Sequence, residues 1–438
     1  MQVQALPGFR DFYPEDTARR NQIFTVWREV ARRFGFEEYD GPPLEDVELY
    51  VKKSGIEILQ QLYDFRDKGE RHIALRPEMT PTLARMVSAR ASAIKKPIRW
   101  FSIPQLFRYE RQQKGRLKEH FQLNMDLIGE ESPLADAEII AAAIDIQVGL
   151  GLGPDSVRVR MSDRRVLKAL LTAEGIPEDV HSSFYAAIDK LERVAPATAA
   201  TAQHDLITAA LKAHHLSEGL TEPVLAVARI RDLDSLKAAL RRVDGGLDVG
   251  EQFLKCHQAL VDMGLAAFLD VDTSIVRGLA YYSGIVFELF DAGRSLRAIC
   301  GGGRYDGLLK ALGDIDLPGV GFGMGDVVLG ELLKERTPHA VESWRLDAYL
   351  VPVTIEDVPT VLRLAHALRN AGLRIEFSLK EQAISRQLKI AASRPAKRVV
   401  VIGPDERKQG EVVLRDMSTG TEQRVALSRL VEHLAGAK

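Results

Sequence analysis

Apolar and polar positions alternate at two periods along this chain, and the switches between them outline its organisation. Apolar residues at Ile23, Val26, Trp27, Val30, Ala31 and Phe34 recur at helical spacing, which predicts an amphipathic helix over residues 14–34, stopped by Gly35. The paired prolines within residues 39–45 exclude helix and predict an extended or edge segment. Residues 73–80 predict a strand feeding a helix, with Pro81 near the helix start and Glu78 and Thr80 at the junction. A further helix is predicted over 135–148, with Ile139, Ile140, Ala143 and Ile144 on one side. Residues 164–263 then change character: helical patterns, few aromatics and an Ala/Thr-rich stretch predict an inserted, mainly helical subdomain.

The most informative stretch is residues 107–126, FRYERQQKGRLKEHFQLNMD. Its ends read as strands and its centre as a polar loop, which predicts an antiparallel hairpin. With side chains alternating between faces, Arg108 and Glu110 share one direction, and His120, Gln122, Asn124 and Asp126 line one face of the return strand. Burying so polar a row against a core would leave many groups needing partners, so it suits a wet, ligand-binding floor. Residues 95–118 hold eight Lys or Arg and one acid, a local positive field suited to a polyanion, or a solvated surface.

Glycine marks a second polar cluster. Residues 276–288 place Arg277, Tyr281 and Tyr282 at the mouth of a predicted strand over 285–290. Residues 298–307, AICGGGRYDG, lack both the G-x-G-x-x-G spacing and a Walker lysine, so neither a dinucleotide fold nor a P-loop is supported. The triple glycine reads as a tight bend or a place of close backbone approach, followed by Arg304. GVGFGMGD over 319–326 repeats the device before a helix predicted over 327–334. Glu78, taken alone, reads first as a carboxylate favoured by a helix N-terminus and only then as a ligand contact.

Beyond a Pro-containing linker at 336–345, strands are predicted at 347–353, 373–378 and 398–402, alternating with helices at 357–370, 381–393 and 427–434. That is the pattern of a small α/β domain. It carries 15 Lys/Arg against 11 Asp/Glu, a mildly basic balance suited to nucleic acid. The 438 residues, 46% hydrophobic and 27% charged with net charge −2, are those of an ordinary globular protein of two or three domains. The N-terminus lacks an apolar leader, and the longest apolar run, around 139–152, is interrupted by Asp145 and Gln147. Secretion and membrane spanning are therefore not expected. Two cysteines, Cys256 and Cys300, provide neither a disulfide framework nor a metal cluster, which fits a reducing, cytoplasmic compartment.

The order of these clusters resembles the class II aminoacyl-tRNA synthetases and, among them, the histidyl-tRNA synthetase family. LPGFRDFYPED, LRPEMT, FRYERQQKGR, VRGLAYYSGIVFE, AICGGGRYDGL and the C-terminal α/β region follow that family's landmarks over nearly the whole chain. The resemblance implies an α+β fold: an antiparallel-sheet catalytic domain over 1–335, with its helical insertion, and an α/β anticodon-binding domain over 346–438. It implies activation of L-histidine with ATP and Mg2+ to histidyl-adenylate and pyrophosphate, transfer to the 3′ end of tRNA(His), and a homodimer formed through the Pro42–Pro43 region.

Residue by residue, it implies that Arg108 holds the α-phosphate and Arg277 lies between that phosphate and the substrate carboxylate, both as catalytic residues. Glu110 and His120 would lie by the adenine and Arg116 near the γ-phosphate. Glu78, Met79, Thr80 and Gln122 would surround the amino acid, and Asp126, Tyr281 and Tyr282 its imidazole side. Gln113 would touch the tRNA acceptor end, and no metal would be held by protein side chains alone.

Three positions depart from the bacterial pattern. His120 replaces a phenylalanine, Ala280 an acid, and Val328 the arginine of the third class II motif. The combination is similar to organellar plant enzymes and marks a variant subgroup. Arg304, Arg116 and Mg2+ are then the candidates to replace the lost charge. Two other readings are a non-catalytic, histidine-sensing regulatory paralogue and an RNA-binding sensor. The retained Arg108, Arg116, Glu78 and Arg277 and the C-terminal region favour the ligase.

Overall fold

The computed structural model describes residues 4–109, 117–191, 199–277, 281–293, 297–313, 315–336 and 345–436. The chain divides into two compact units, Met1–Ala340 and Val341–Lys438.

The first unit is built on a nine-stranded sheet. Its order runs Glu37–Glu38, Ile98–Ser102, Glu119–Ile128, Gly319–Gly325, Cys300–Arg304, Ile285–Asp291, Val157–Asp163 and Leu269–Val271, with Gln105–Phe107 pairing with the start of Glu119–Ile128. Only the outermost pair at each end is parallel. The predicted hairpin is present, with Leu106 opposite His120 and Phe107 opposite Glu119.

Alternation along Glu119–Ile128 sorts its side chains as the sequence predicts. Leu123, Met125 and Leu127 join the main core, while His120, Gln122, Asn124 and Asp126 line cavities on the other face. Behind the sheet lie the helices Pro14–Arg33 and Pro133–Gly149. The latter has buried residues all round, including Ile139, Ile140, Ala142, Ile144, Ile146 and Gln147, rather than the one-sided stripe expected. Its remaining side is covered by the helix Gly246–Asp262 of the inserted segment. Phe184, Leu225, Leu240, Phe253 and Leu260 of that segment belong to the same continuous core as the sheet, so the insertion has no core of its own.

The glycine-rich stretches correct the expectation of a tight bend. Cys300–Arg304 and Gly319–Gly325 are central strands, paired through Gly301 with Gly323 and Gly303 with Gly321. Glycine is normally unfavourable in strand interiors and marks close approach. A Cβ at Gly321 would fall 2.3 Å from Asp126 Oδ1, and one at Gly323 2.3 Å from Gln122 Nε2. The bare strands let neighbouring polar side chains lie flat across the floor.

The second unit is a five-stranded sheet ordered Ile375–Phe377, Ala348–Pro352, Arg398–Ile402, Glu411–Asp416 and Glu422–Ala426. Ala348, Leu350, Val400 and Ile402 face the helices Val358–Asn370 and Leu430–Ala435, while Tyr349, Val351 and Val399 face Ile384–Ser393. The alternating pattern predicts the first three strands. The closing hairpin, whose solvent-facing strand Glu422–Ala426 is mostly polar, escapes it.

Candidate functional site

Two adjoining cavities of about 290 Å3 each open on the glycine floor. They share Arg108, Gln122, Arg277, Gly301 and Gly323, so two arginines stand at their boundary. Arg108 follows the strand Gln105–Phe107 and is aimed by its Nε, which donates to the Pro77 carbonyl at 2.9 Å. Arg277 adopts a left-handed backbone conformation, φ 50°, uncommon for a non-glycine residue and found at sites held by their surroundings. Its Nη1 donates to Glu288 Oε1 at 2.7 Å. A Cβ at Gly301 would fall 1.6 Å from that nitrogen, so glycine is required beneath it. Burial disfavours the Arg277 charge, but Tyr282, Glu288 and Tyr281 outweigh it and raise its pKa.

The first cavity is lined by complementary pairs. Glu78, before the helix Thr80–Arg90, accepts from Lys53 Nζ, which also lies 4.7 Å from the Tyr281 ring centre. Asp126, on the buried floor, accepts from the Tyr305 hydroxyl. Its carboxyl is pushed up to about 7 by burial, partly offset by Tyr305 and by the charge of Lys53. Gln122 Nε2 donates to Asn124 Oδ1 at 3.0 Å. Tyr281 and Tyr282 close the wall with ring centres 4.6 Å apart, and Thr80 completes the rim. This cavity can hold a small zwitterion with a polar ring: carboxylates for cationic or N–H groups, phenols beside them, and guanidinium groups at one end.

The second cavity differs in kind. His120, Leu117, Arg297, Cys300, Val327 and Val328 line it together with the shared arginines, and no Asp or Glu is among its described lining residues. Three arginines thus face one space without a carboxylate, a setting for a polyanion. His120 Nε2 donates to Gln122 Oε1 at 3.3 Å. Burial, then the charge of Arg108, drives its pKa down to about 4, so its ring is neutral near pH 7.

Several expected site residues are not where the sequence suggests. Arg304 lies on the opposite face from Gly301, Gly303 and Tyr305 by strand alternation. Its Nε donates to Asp136 Oδ2 at 3.0 Å, its Nη1 to the Glu130 carbonyl at 3.0 Å and its Nη2 to the Ser132 carbonyl at 3.2 Å, so it is a buried tie behind the sheet. Met79 is 1% exposed and lines neither cavity; Arg76 Nη1 donates to its Sδ at 3.9 Å. Glu110, Gln113 and Arg116, like Ala280, fall outside the described residues. Lys53, Tyr305 and Arg297 line the cavities without having been singled out. Tyr305 follows the triple glycine and Arg297 precedes it, so adjacency to that stretch was the available signal. Lys53 lies at the end of the helix Val47–Ser54, where a lysine is ordinary and carries no signal.

The N-terminal segment braces the same floor. Arg10 donates to Glu119 Oε1 at 2.6 Å and to Asp326 Oδ2 at 2.9 Å, and Asp326 Oδ1 accepts from the Phe121 amide at 2.9 Å. The hairpin, the last glycine strand and the following helix are thereby tied by one guanidinium.

Comparison with known proteins agrees with this architecture. Residues 8–325 match the family model described as histidyl-tRNA synthetase, and residues 347–436 match an anticodon binding domain. A histidine–tRNA ligase of Opitutus terrae is 44% identical over 96% of this chain and 95% of its own length. The chloroplastic/mitochondrial histidine–tRNA ligase of Arabidopsis thaliana is 39% identical over 97% and 85%. Among solved structures, a histidyl-tRNA synthetase from Nostoc sp. PCC 7120 superposes with TM-score 0.84 at 22% identity, covering 100% of both chains. At that identity the structural likeness speaks to the fold alone. A Bacillus halodurans chain titled ATP phosphoribosyltransferase regulatory subunit/histidyl-tRNA synthetase shares the fold likewise, with TM-score 0.75 at 21% identity over 92% of this chain and 99% of its own. With both of its units matched in order and relatives of well over 30% identity along nearly its full length, the chain belongs to the histidyl-tRNA synthetase family.

Proposed function

We infer that this chain is a histidine–tRNA ligase in which the two cavities divide the activation step between them. The observation that carries the reading is the boundary: Arg108 and Arg277 face both a cavity suited to a polar zwitterion and one suited to a polyanion. L-Histidine would occupy the first, its ring between Asp126 and the tyrosines, its amino group toward Glu78, Thr80 and Gln122, and its carboxylate at Arg277. ATP would occupy the second, with the α-phosphate at Arg108 and the neutral His120 ring available to stack on the base.

A carboxylate oxygen then attacks the α-phosphorus, the bond to the bridging oxygen breaks, and pyrophosphate leaves into the second cavity. Guanidinium groups already fixed by Pro77 and Glu288 stabilise the developing charge without reorganising. Their planar forks suit phosphate oxygens better than lysine would. A terminal hydroxyl of tRNA(His) next attacks the acyl carbon and AMP departs. Mg2+ would be carried on the nucleotide's phosphates, as is usual for that ion. Among the described residues no group of three or more His, Cys, Asp or Glu converges to hold one alone.

Val328 in the second cavity supports membership in a subgroup without the third-motif arginine. The second unit, through its match to an anticodon binding domain, is the proposed reader of the tRNA. Exposed Pro42, Pro43 and Leu44 beside a three-stranded sheet are the proposed dimer contact. No described helix is long and apolar enough to cross a membrane. A histidine sensor would need the first cavity and have no use for a second one lined by arginines. The test is histidine-dependent ATP–pyrophosphate exchange followed by charging of tRNA(His). Deletion of residues 346–438 should spare exchange and depress charging, and histidine binding without exchange would overturn the ligase reading.

A further inference from the structure

We propose that Arg164, the first residue of the helix Arg164–Ala173 in the inserted segment, is a positioning residue that sets the backbone of Arg277 and so aims its guanidinium at the reacting groups. This role rests on the reading of Arg277 as a side chain that touches the reacting atoms. Its ground is a pair of hydrogen bonds from one fork. Arg164 Nε donates to the Val276 carbonyl at 3.0 Å, and Arg164 Nη2 donates to the Arg277 carbonyl.

Those two oxygens belong to the successive peptide planes hinged at the Arg277 Cα, and φ and ψ of that one residue relate the planes. A planar fork with donors in fixed directions meets both oxygens only over a narrow range of those angles. Arg164 therefore selects the left-handed conformation of Arg277, φ 50°, which persists in a non-glycine residue only when surrounding groups hold it. The Arg277 side chain is fixed separately, by Glu288 at its tip and by the bare Gly301 beneath it. A long side chain tethered at one nitrogen still shifts when its Cα turns, so the two constraints are complementary. Residue 164 also holds the chain where it returns, since its own amide donates to the Gly284 carbonyl at 3.0 Å. It thus anchors both ends of the stretch that carries Arg277, Tyr281 and Tyr282, all of which line the first cavity.

Arg164 is itself held in place. Its guanidinium carbon lies 4.7 Å from the ring centre of Tyr185 on the helix His181–Leu191. Burial pulls its pKa down, against the opposing pull of Tyr185, Tyr282 and Asp189. Its backbone is set where the strand Val157–Asp163 passes into the helix, whose N-terminus Asp163 caps by accepting from the Arg165 amide at 2.8 Å. Arg164 lines neither cavity, so it acts through Arg277 rather than on a substrate.

The experiment measures kcat and KM in ATP–pyrophosphate exchange, with urea unfolding alongside. It compares wild type, Arg164→Met, Arg164→Lys, Arg277→Ala and each Arg164 substitution combined with Arg277→Ala. Arg164→Met should lower kcat by about 10-fold to 100-fold, as for a misplaced reacting group, with a smaller change in either KM. Arg164→Lys keeps the charge and the stem, and so the fold, but loses the fork, and it should recover only part of the rate. In the Arg277→Ala background either substitution should change kcat by less than about twofold, because the group it positions is gone. A wild-type kcat in Arg164→Lys, or the same loss in both backgrounds, overturns the assignment while leaving the ligase reading intact. If Arg164→Met does not fold, the lysine variants complete the same cycle and decide it. Near-normal exchange in Arg277→Ala instead overturns the reading of Arg277 on which the role rests.

Discussion

The two cavities share a floor and two arginines but are furnished on opposite principles. In the first, charged groups arrive already paired: Glu78 with Lys53, Asp126 with Tyr305. In the second, Arg108, Arg277 and Arg297 face the space and no carboxylate lines it among the described residues. A zwitterion brings equal and opposite charges, so a site for it can be nearly neutral and discriminate by leaving pairs unsatisfied when the wrong ring enters. A polyanion brings net charge, and a water-poor pocket of one sign attracts it before any contact is formed. The boundary arginines belong to both regimes, which is where, on the proposed reading, charge would change hands during acyl-phosphate formation.

The largest expected effect lies at that boundary. Arg277→Ala and Arg108→Ala should each slow exchange by about 10²-fold or more, because each removes a fixed cation from the reacting phosphorus. Near-normal rates in either variant would show that the cavities do not meet at the chemistry.

A buried cation off the cavities should behave oppositely. Arg304→Ala strands Asp136, a carboxyl that burial already pushes up to about 6 against the opposing pull of Arg304. We expect a loss of roughly 3–5 kcal/mol in urea unfolding, as for breaking a buried pair, with KM for ATP and histidine unchanged in the folded fraction. A selective rise in KM for ATP would return Arg304 to the nucleotide site.

Asp126→Asn should raise KM for histidine by about tenfold or more and leave KM for ATP unchanged, since it keeps shape and alters charge and donor pattern. Because the Asp126 carboxyl titrates near 7, the wild-type KM for histidine should fall as pH rises through 7, and the asparagine variant should lack that step. An ATP-specific effect would move the ring pocket elsewhere.

The smallest effect is on stability. The native Asp126 pKa lies above its ordinary value of 3.8, so between about pH 4 and 7 the folded state binds more protons than the unfolded one. Wild-type stability from this group therefore declines as pH rises through that window. Asp126→Asn should be the more stable protein at pH 8, and the advantage should vanish below about pH 4. An equal difference at both ends would mean that packing, not ionisation, sets the cost.

Much of this was legible in the residues. The alternation His120, Gln122, Asn124, Asp126 has period two, and a strand with one face on a core must turn the other toward the ligand, so the floor followed from spacing alone. The helix Pro14–Arg33 followed from its period in the same way, and the strand Arg398–Ile402 from its place in the alternation of strands and helices. Motif order along the chain identified the family, because those clusters are contiguous in sequence.

What the sequence could not determine are relations across elements. Whether GGG is a bend or a central strand depends on what lies over and beside it: Arg277 over Gly301, and a facing glycine strand whose Gly321 and Gly323 lie against Asp126 and Gln122, all from other segments. That Pro133–Gly149 is enclosed all round depends on a segment about a hundred residues later folding over it. Arg304 and Arg297 flank the same glycines in sequence, yet one is tied behind the sheet and the other opens into the cavity. A pattern of residue types records which face a side chain takes on its own strand. Only the assembled sheet decides what stands on that face, and so which cation is tied behind the sheet and which lines a cavity.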